Sequence, residues 1–160
     1  MSDLPYRRNV GAVLFNRDGL VLVAHRIGMP IADGPKGGWQ LPQGGIDRGE
    51  DPQDAVLREL AEEIGTANAE IIGEHPDWLT YDLPSHLVGV AWGGRFRGQS
   101  QKWFALRFLG QDQEIRLDVD DHPEFDVWRW VELVHLPALA VGFKRPVYEV
   151  LAGSFRRFAS

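Results

Sequence analysis

The stretch Gly44–Thr66 reads GGIDRGEDPQDAVLRELAEEIGT and puts three carboxylates, Glu59, Glu62 and Glu63, into one short segment with helical character. Successive side chains on a helix turn by about 100°, so positions i, i+3 and i+4 share a face and these three crowd onto one narrow arc. Like charges that close repel and raise one another's pKa unless a cation sits among them. Hard oxygen donors suit Mg²⁺ or Mn²⁺, not zinc or copper.

The flanking residues support a helix. Asp51 suits the N-cap, Pro52 the first helical position, and Asp54 the first turn, where the dipole is positive. Val56, Leu57, Leu60, Ala61 and Ile64 fill the opposite arc as a core side. Gly65 is placed for a left-handed C-cap. Arg58 has the i,i+4 spacing to pair with Glu62 and can also reach Glu50. Gly44 and Gly45 let backbone approach the same spot closely. A solvated acidic face with surface ion pairs is the ordinary reading of Glu62-Glu63 alone; the glycines, the Arg58-Glu59 step and the capped boundaries favour metal binding.

The 160 residues fit one domain, residues 1–160, with enough length to bury a core. Apolar content of 44% and six tryptophans suit a globular chain. Without cysteine there is no disulfide, zinc-thiolate site or thiol nucleophile. No apolar run approaches a membrane span and MSDLPYRRNV lacks a signal-peptide core, so a cytoplasmic protein with no membrane partner is expected. A net charge of −6 argues against broad polyanion binding, yet allows a local basic pocket.

Strands are expected at Asn9–Phe15 and Leu20–His25 around an Asn16–Gly19 turn. Ile27–Gly38, with four glycines and two prolines, reads as a loop. Short extended pieces are expected at Trp39–Pro42, Glu70–Gly73 and Leu79–Leu83. Loop follows over His86–Gln99, then strands at Gln101–Leu109 and Val127–Leu133. A closing helix over Pro146–Phe158 puts Val147, Leu151, Phe155 and Phe158 on one side, weakened slightly by Gly153.

Gly44, Glu50, and Arg58-Glu59-Leu60-x-Glu62-Glu63-x-Gly65 together resemble the signature of Nudix hydrolases at every charged and glycine position, with Thr66 departing from an expected aliphatic residue. The likeness runs through Tyr6–Gly11, Trp39–Ile46, Tyr81–Pro84, Gly98–Phe104, Pro123–Asp126 with Trp128–Trp130, and Phe143–Arg145. These blocks resemble the bacterial RNA pyrophosphohydrolase and dinucleoside polyphosphate hydrolase subgroup. Arg8 stands where that subgroup usually has proline, and the 28–38 loop is longer than in many members.

The resemblance implies an α/β Nudix fold, an α/β/α sandwich with a mixed central sheet. It implies Mg²⁺-dependent hydrolysis of a phosphoanhydride, with Mn²⁺ or another divalent ion able to substitute. Candidate substrates are dinucleoside polyphosphates, such as diadenosine tetraphosphate split to ATP and AMP, and triphosphorylated RNA 5′ ends losing pyrophosphate. The acidic balance and the lack of a long basic tail tilt the expectation towards the dinucleotides. Another nucleoside diphosphate derivative, or a non-catalytic nucleotide-binding module, is the alternative.

By the same resemblance Glu59, Glu62, Glu63 and the Gly44 carbonyl are metal ligands. Glu59 or Glu63 doubles as general base, and the sequence does not choose between them. Glu124 joins the metal site and the catalytic set; without the resemblance it reads as a surface loop carboxylate. Glu50 and Arg58 brace the loop and helix. Arg7, Arg26 and Lys144 are candidate phosphate contacts and Tyr81 a base platform. Trp39, Trp128 and Trp130 read as core, and the histidines receive no role. The implied partner is a nucleotide or RNA 5′ end, with no protein partner.

Overall fold

A computed structural model describes residues 4–32, 37–119, 121–140 and 142–159. Residues 33–36 of the expected loop lie outside the described residues. The chain begins with the expected hairpin, β1 (Tyr6–Phe15) and β2 (Val21–Arg26). Its turn is closed by the Asn16 side chain, which accepts from the Asp18 and Leu20 amides at 2.9 and 3.0 Å. Gly19 takes φ 78°, a conformation costly for residues with a Cβ.

The two strands pair at Phe15 and Val21 and then part. Into the gap come β3 (Trp39–Gln40), beside β2, and β4 (Gln43–Gly45), antiparallel to β1 with Val10 opposite Gly44. On its other side β1 runs parallel to β7 (Gly98–Phe108) over ten residue pairs, from Tyr6–Gly98 to Phe15–Arg107. β5 (Ala69–Glu74) and β6 (Leu79–Asp82) pair antiparallel with β7, and β8 (Phe125–Val131) with β2. The result is a mixed sheet of eight strands.

Every residue of β1 from Asn9 to Phe15 is buried, as a central strand covered on both faces requires. Val10, Ala12 and Leu14 point into one core with Val56, Leu60 and Ile64 of the acidic helix, α1 (Pro52–Ile64). Val13 and Phe15 point into the other with Val147, Tyr148 and Leu151. Those come from α3 (Arg145–Ser154), preceded by a single-turn helix α2 (Leu136–Leu139). This is the expected α/β/α sandwich. Among the described residues no helix is long and apolar enough to cross a membrane.

Asp51 occupies the N-cap of α1 with extended backbone, but its side chain makes no capping bond. Gly65 takes the left-handed cap at φ 77° and donates to the Ala61 carbonyl at 3.1 Å. The apolar face is rotated from the expected one: Ala55 is buried and Ala61 exposed. The helix must turn Glu59 and Glu63 towards β4, which swings Ala61 to solvent. The closing helix stops at Ser154, where Phe155 leaves helical geometry and Arg156–Phe158 forms a tighter turn. That turn stacks Phe158 against Phe155 and Phe15 at 5.9 and 6.0 Å. The expected strand at Val127–Leu133 is shifted towards the N-terminus, beginning at Phe125 and ending at Val131.

Gly11 lies opposite Trp103 across the parallel pair, and a methyl group there would overlap the indole ring. Both sit where neighbours have no room to yield. Gly11→Ala is expected to lower the unfolding free energy by about 1–3 kcal/mol, read as an earlier midpoint in a urea titration with unchanged slope.

Candidate active site

The site grows from the contact of α1 with β4. Gly44 sits against the Glu59 carboxylate so closely that a side chain at 44 would collide with it. The next amide back, Gln43 N–H, donates to Glu63 Oε1 at 3.0 Å. Two carboxylates one helical turn apart are thereby laid along a glycine strand. The other Glu63 oxygen, Oε2, is buried and has no hydrogen-bond partner among the described residues.

Arg58 fixes this arrangement from the other side. Its Nε and Nη2 donate to the two Glu50 oxygens at 2.8 and 2.9 Å, the forked geometry that suits guanidinium to carboxylate. Nη2 also donates to the Gly45 carbonyl at 2.9 Å, tying the helix to β4. Nη1 reaches Glu59 Oε1 at 3.0 Å and both Glu62 oxygens at 3.3 Å. Glu50 itself accepts from the Asp47 amide at 2.9 Å, closing the loop before the helix. Glu50 and Arg58 thus join the loop, β4 and the helix through hydrogen bonds.

Burial separates the three helix carboxylates. Glu62 is 47% exposed and rests on Arg58, whereas Glu59 is 13% exposed. Desolvation pushes Glu59 up to about 7, opposed by the Arg58 charge and hydrogen bond, with Glu62 and Glu124 adding repulsion. Glu63 is raised well above the usual carboxylate range, first by burial and then by repulsion from Glu124 and Glu59. Glu50 goes the other way, drawn down to about 2 by its bonds to Arg58. Glu124 is exposed, just before β8, and its carbonyl accepts from the Ile27 amide at 2.9 Å. Its charge is near enough to add repulsion at both Glu59 and Glu63.

Three features fit a divalent cation: an orphaned buried carboxylate oxygen, an all-oxygen donor set, and a glycine that lets the Glu59 carboxylate touch the strand. Among the described residues no three such side chains are already gathered at coordinating distance. Mutual repulsion and the pull of Arg58 on Glu59 and Glu62 account for that spread.

Beside the carboxylates, on the α3 face of the sheet, lies a cavity of about 400 Å³. Arg26, Trp39, Tyr81, Trp92, Phe143 and Lys144 are among its walls. Tyr81 and Phe143 rings lie 5.6 Å apart, with Lys144 Nζ 5.7 Å from the Tyr81 ring. Burial lowers Lys144 to about 8, with Arg26 adding repulsion. Arg7 lies over Gly45 and donates to Gln99 Oε1 at 2.9 Å; Gln99 in turn donates to the Tyr81 hydroxyl at 2.6 Å. Three of the four residues expected to meet substrate, Arg26, Tyr81 and Lys144, therefore line one hollow, and Arg7 lies behind it, linked to Tyr81 through Gln99.

Other contributors were not visible as sites in the sequence. His25 is buried at the end of β2, with Nδ1 2.6 Å from Asp126 and Nε2 3.0 and 3.1 Å from the Met29 and Pro30 carbonyls. All three partners are acceptors, an arrangement that favours the protonated ring, and its pKa is raised chiefly by the hydrogen bond to Asp126. It pins the start of the 28–38 loop, a role that lone histidines do not announce. Gln101 bridges Asn9 and Gln43 at 3.0 and 2.6 Å, and Tyr148 accepts from the Leu41 amide at 3.0 Å. The available signal was two glutamines at alternate positions, Gln99 and Gln101, which fall on one face of a strand. Trp39 is core as expected, though it also lines the cavity; Trp128 and Trp130 are half-buried.

Residues 5–151 match the NUDIX domain. An RNA pyrophosphohydrolase of Gluconacetobacter diazotrophicus is 61% identical, over 99% of this chain and 96% of its own length. One from Rhodospirillum rubrum is 56% identical, over 99% and 92% respectively. Among solved structures, the E. coli dihydroneopterin triphosphate pyrophosphohydrolase superposes with a TM-score of 0.66 at 21% identity, covering 94% of this chain and 99% of that one. A C. elegans Ap4A hydrolase in a binary complex gives 0.56 at 22% identity, covering 92% and 98%, a likeness of fold alone. With the braced acidic helix, the glycine strand and a likeness that runs nearly end to end, the chain belongs to the NUDIX family.

Proposed function

We propose that this chain is a Mg²⁺-dependent, cytoplasmic pyrophosphohydrolase that removes pyrophosphate from triphosphorylated RNA 5′ ends, working as one domain. Hydrolases of its family generally use divalent cations. The observation that carries the reading is the pair of half-desolvated carboxylates, one with an unpartnered oxygen, beside a cation-rimmed cavity. The substrate comes from relatives named RNA pyrophosphohydrolase that match the chain almost end to end.

Glu59, Glu62, Glu63, Glu124 and the Gly44 carbonyl would hold the metal. When bound, it supplies charge neutralisation at the phosphoryl oxygens, the main electrostatic demand of phosphoryl transfer. Water attacks phosphorus, the anhydride P–O bond breaks, and the proton passes to Glu59 or Glu63. Gln43 N–H keeps Glu63 aimed, and Arg58 keeps Glu59 on the strand. Arg7, Arg26 and Lys144 hold phosphates; Lys144, at about 8, is still mostly charged near neutrality. Tyr81 and Phe143, packed against one another, offer an apolar wall of the cavity for a base to lie on.

A dinucleoside polyphosphate is the second reading, favoured by the net charge of −6 and a cavity of about 400 Å³, suited to a single base. Purified protein with Mg²⁺ is expected to release pyrophosphate from a 5′-triphosphorylated RNA faster than it splits diadenosine tetraphosphate, in a side-by-side rate assay. Faster cleavage of the dinucleotide would exchange the two readings, and cleavage of neither would sink both.

Glu63→Gln is expected to lower kcat by at least about a hundredfold while the protein stays folded. Burial raises the Glu63 pKa in the folded state, so its ionisation opposes folding above the unfolded value near 4.5. The metal-free variant should therefore melt higher than the parent at pH 8, with the gain vanishing as pH falls to 4.5. Normal turnover, or a gain independent of pH, would contradict the role given to this carboxylate.

A further inference from the structure

The cavity wall continues into Ala91–Phe96, AWGGRF, a segment with no assigned role. Among the described residues Trp92 is the one non-glycine with positive φ, at 51°, and it is flanked by Gly89, Gly93 and Gly94 at 93°, 70° and 75°. Such a conformation is uphill for a bulky residue and persists where the surroundings impose it. Gly94 is pressed against the Gly89 backbone, where a Cβ would lie 2.8 Å from its carbonyl oxygen, so the turn is tight.

This geometry presents the indole at the mouth of the cavity. Arg7 lies over the ring at 5.5 Å, and Phe96 meets it edge-on at 6.4 Å. Arg95 stacks on Phe96 at 5.8 Å. The Trp92–Phe96 ring pair is therefore flanked by a guanidinium at each end, Arg7 on Trp92 and Arg95 on Phe96. Among the described residues neither Arg7 nor Arg95 has a carboxylate partner, whereas the neighbouring Arg97 is neutralised by Asp82 at 2.7 Å. In a chain of net charge −6, two uncompensated guanidiniums flanking a pair of aromatic rings are a local exception. Rings that stack unpaired bases, interleaved with cations that follow phosphates, are what single-stranded nucleic acid requires.

We propose that Trp92, Arg95 and Phe96, with Arg7, form a cradle for the RNA nucleotides that follow the one in the cavity. Trp92 and Phe96 stack bases and Arg95 holds a backbone phosphate. The inference rests on the RNA-end reading above, and it adds a surface that a mononucleotide or a short substrate does not reach.

The test compares the parent with Arg95→Ala and Phe96→Ala on 5′-triphosphorylated RNAs of two and eight nucleotides. A second arm titrates an eight-nucleotide RNA with a 5′-hydroxyl, which cannot be cut, by tryptophan fluorescence over a salt series. Each variant is expected to raise KM for the longer RNA about tenfold, with kcat and the two-nucleotide substrate unchanged. Arg95→Ala should also make the plot of log Kd against log salt shallower by about 0.7, which a packing defect would not do. Equal effects on both lengths, or no effect on the longer RNA in either arm, would overturn the cradle. If the parent cuts no RNA, the substrate reading fails, and the uncut RNA alone decides: variant-sensitive binding supports the cradle, and its absence overturns it.

Discussion

Burying the Glu59 and Glu63 carboxylates beside one another is the condition on which the site depends. Taking a carboxylate out of water is costly unless something answers its charge. Here Arg58 answers part of it, spreading one guanidinium over Glu50, Glu59, Glu62 and the Gly45 carbonyl. Gln43 N–H answers another part, and one Glu63 oxygen is left with nothing. The pair is therefore held under mutual repulsion that a cation would relieve, as the proposed metal site requires.

Glycine and the sheet make that concentration possible. β1 and β2 meet at one pair of residues and separate, so β4 can lie along β1 with its backbone facing α1. At Gly44 the absence of a side chain lets the Glu59 carboxylate reach the strand itself. On the opposite face of the same short strand, Arg7 lies over Gly45. Three residues of extended chain therefore separate an acidic side, suited to metal, from a basic and aromatic side, suited to nucleotide. The two buried cores fix both faces, because β1 contributes alternate residues to each.

Charge is segregated more sharply than the average suggests. A net charge of −6 coexists with Arg26 and Lys144 in the wall of one hollow, and with Arg7 over Trp92, another of its lining residues. That composition discourages indiscriminate binding to polyanions while leaving cations at one local surface. His25, clamped by Asp126 and the Met29 and Pro30 carbonyls, ties the end of β2 to the loop that follows it.

The acidic helix was legible from sequence because its determinants are local: Pro52 at the start, Gly65 at the end, and carboxylates at i, i+3 and i+4. The Arg58–Glu50 brace was legible for the same reason, its partners lying eight residues apart. Spacing gave the hairpin and most strands, since alternation and turn residues act over a few positions. Its limits show at Ala61 and Phe155, where the helix face and the helix end answer to distant packing. Only the tertiary structure put Tyr81 and Lys144 around one hollow, laid Arg7 over Gly45, left one Glu63 oxygen without a partner among the described residues, and gave His25 its clamp with Asp126, 101 residues away. Chain order carries no distance between such groups; burial and strand register set it, and with it the charge each one keeps.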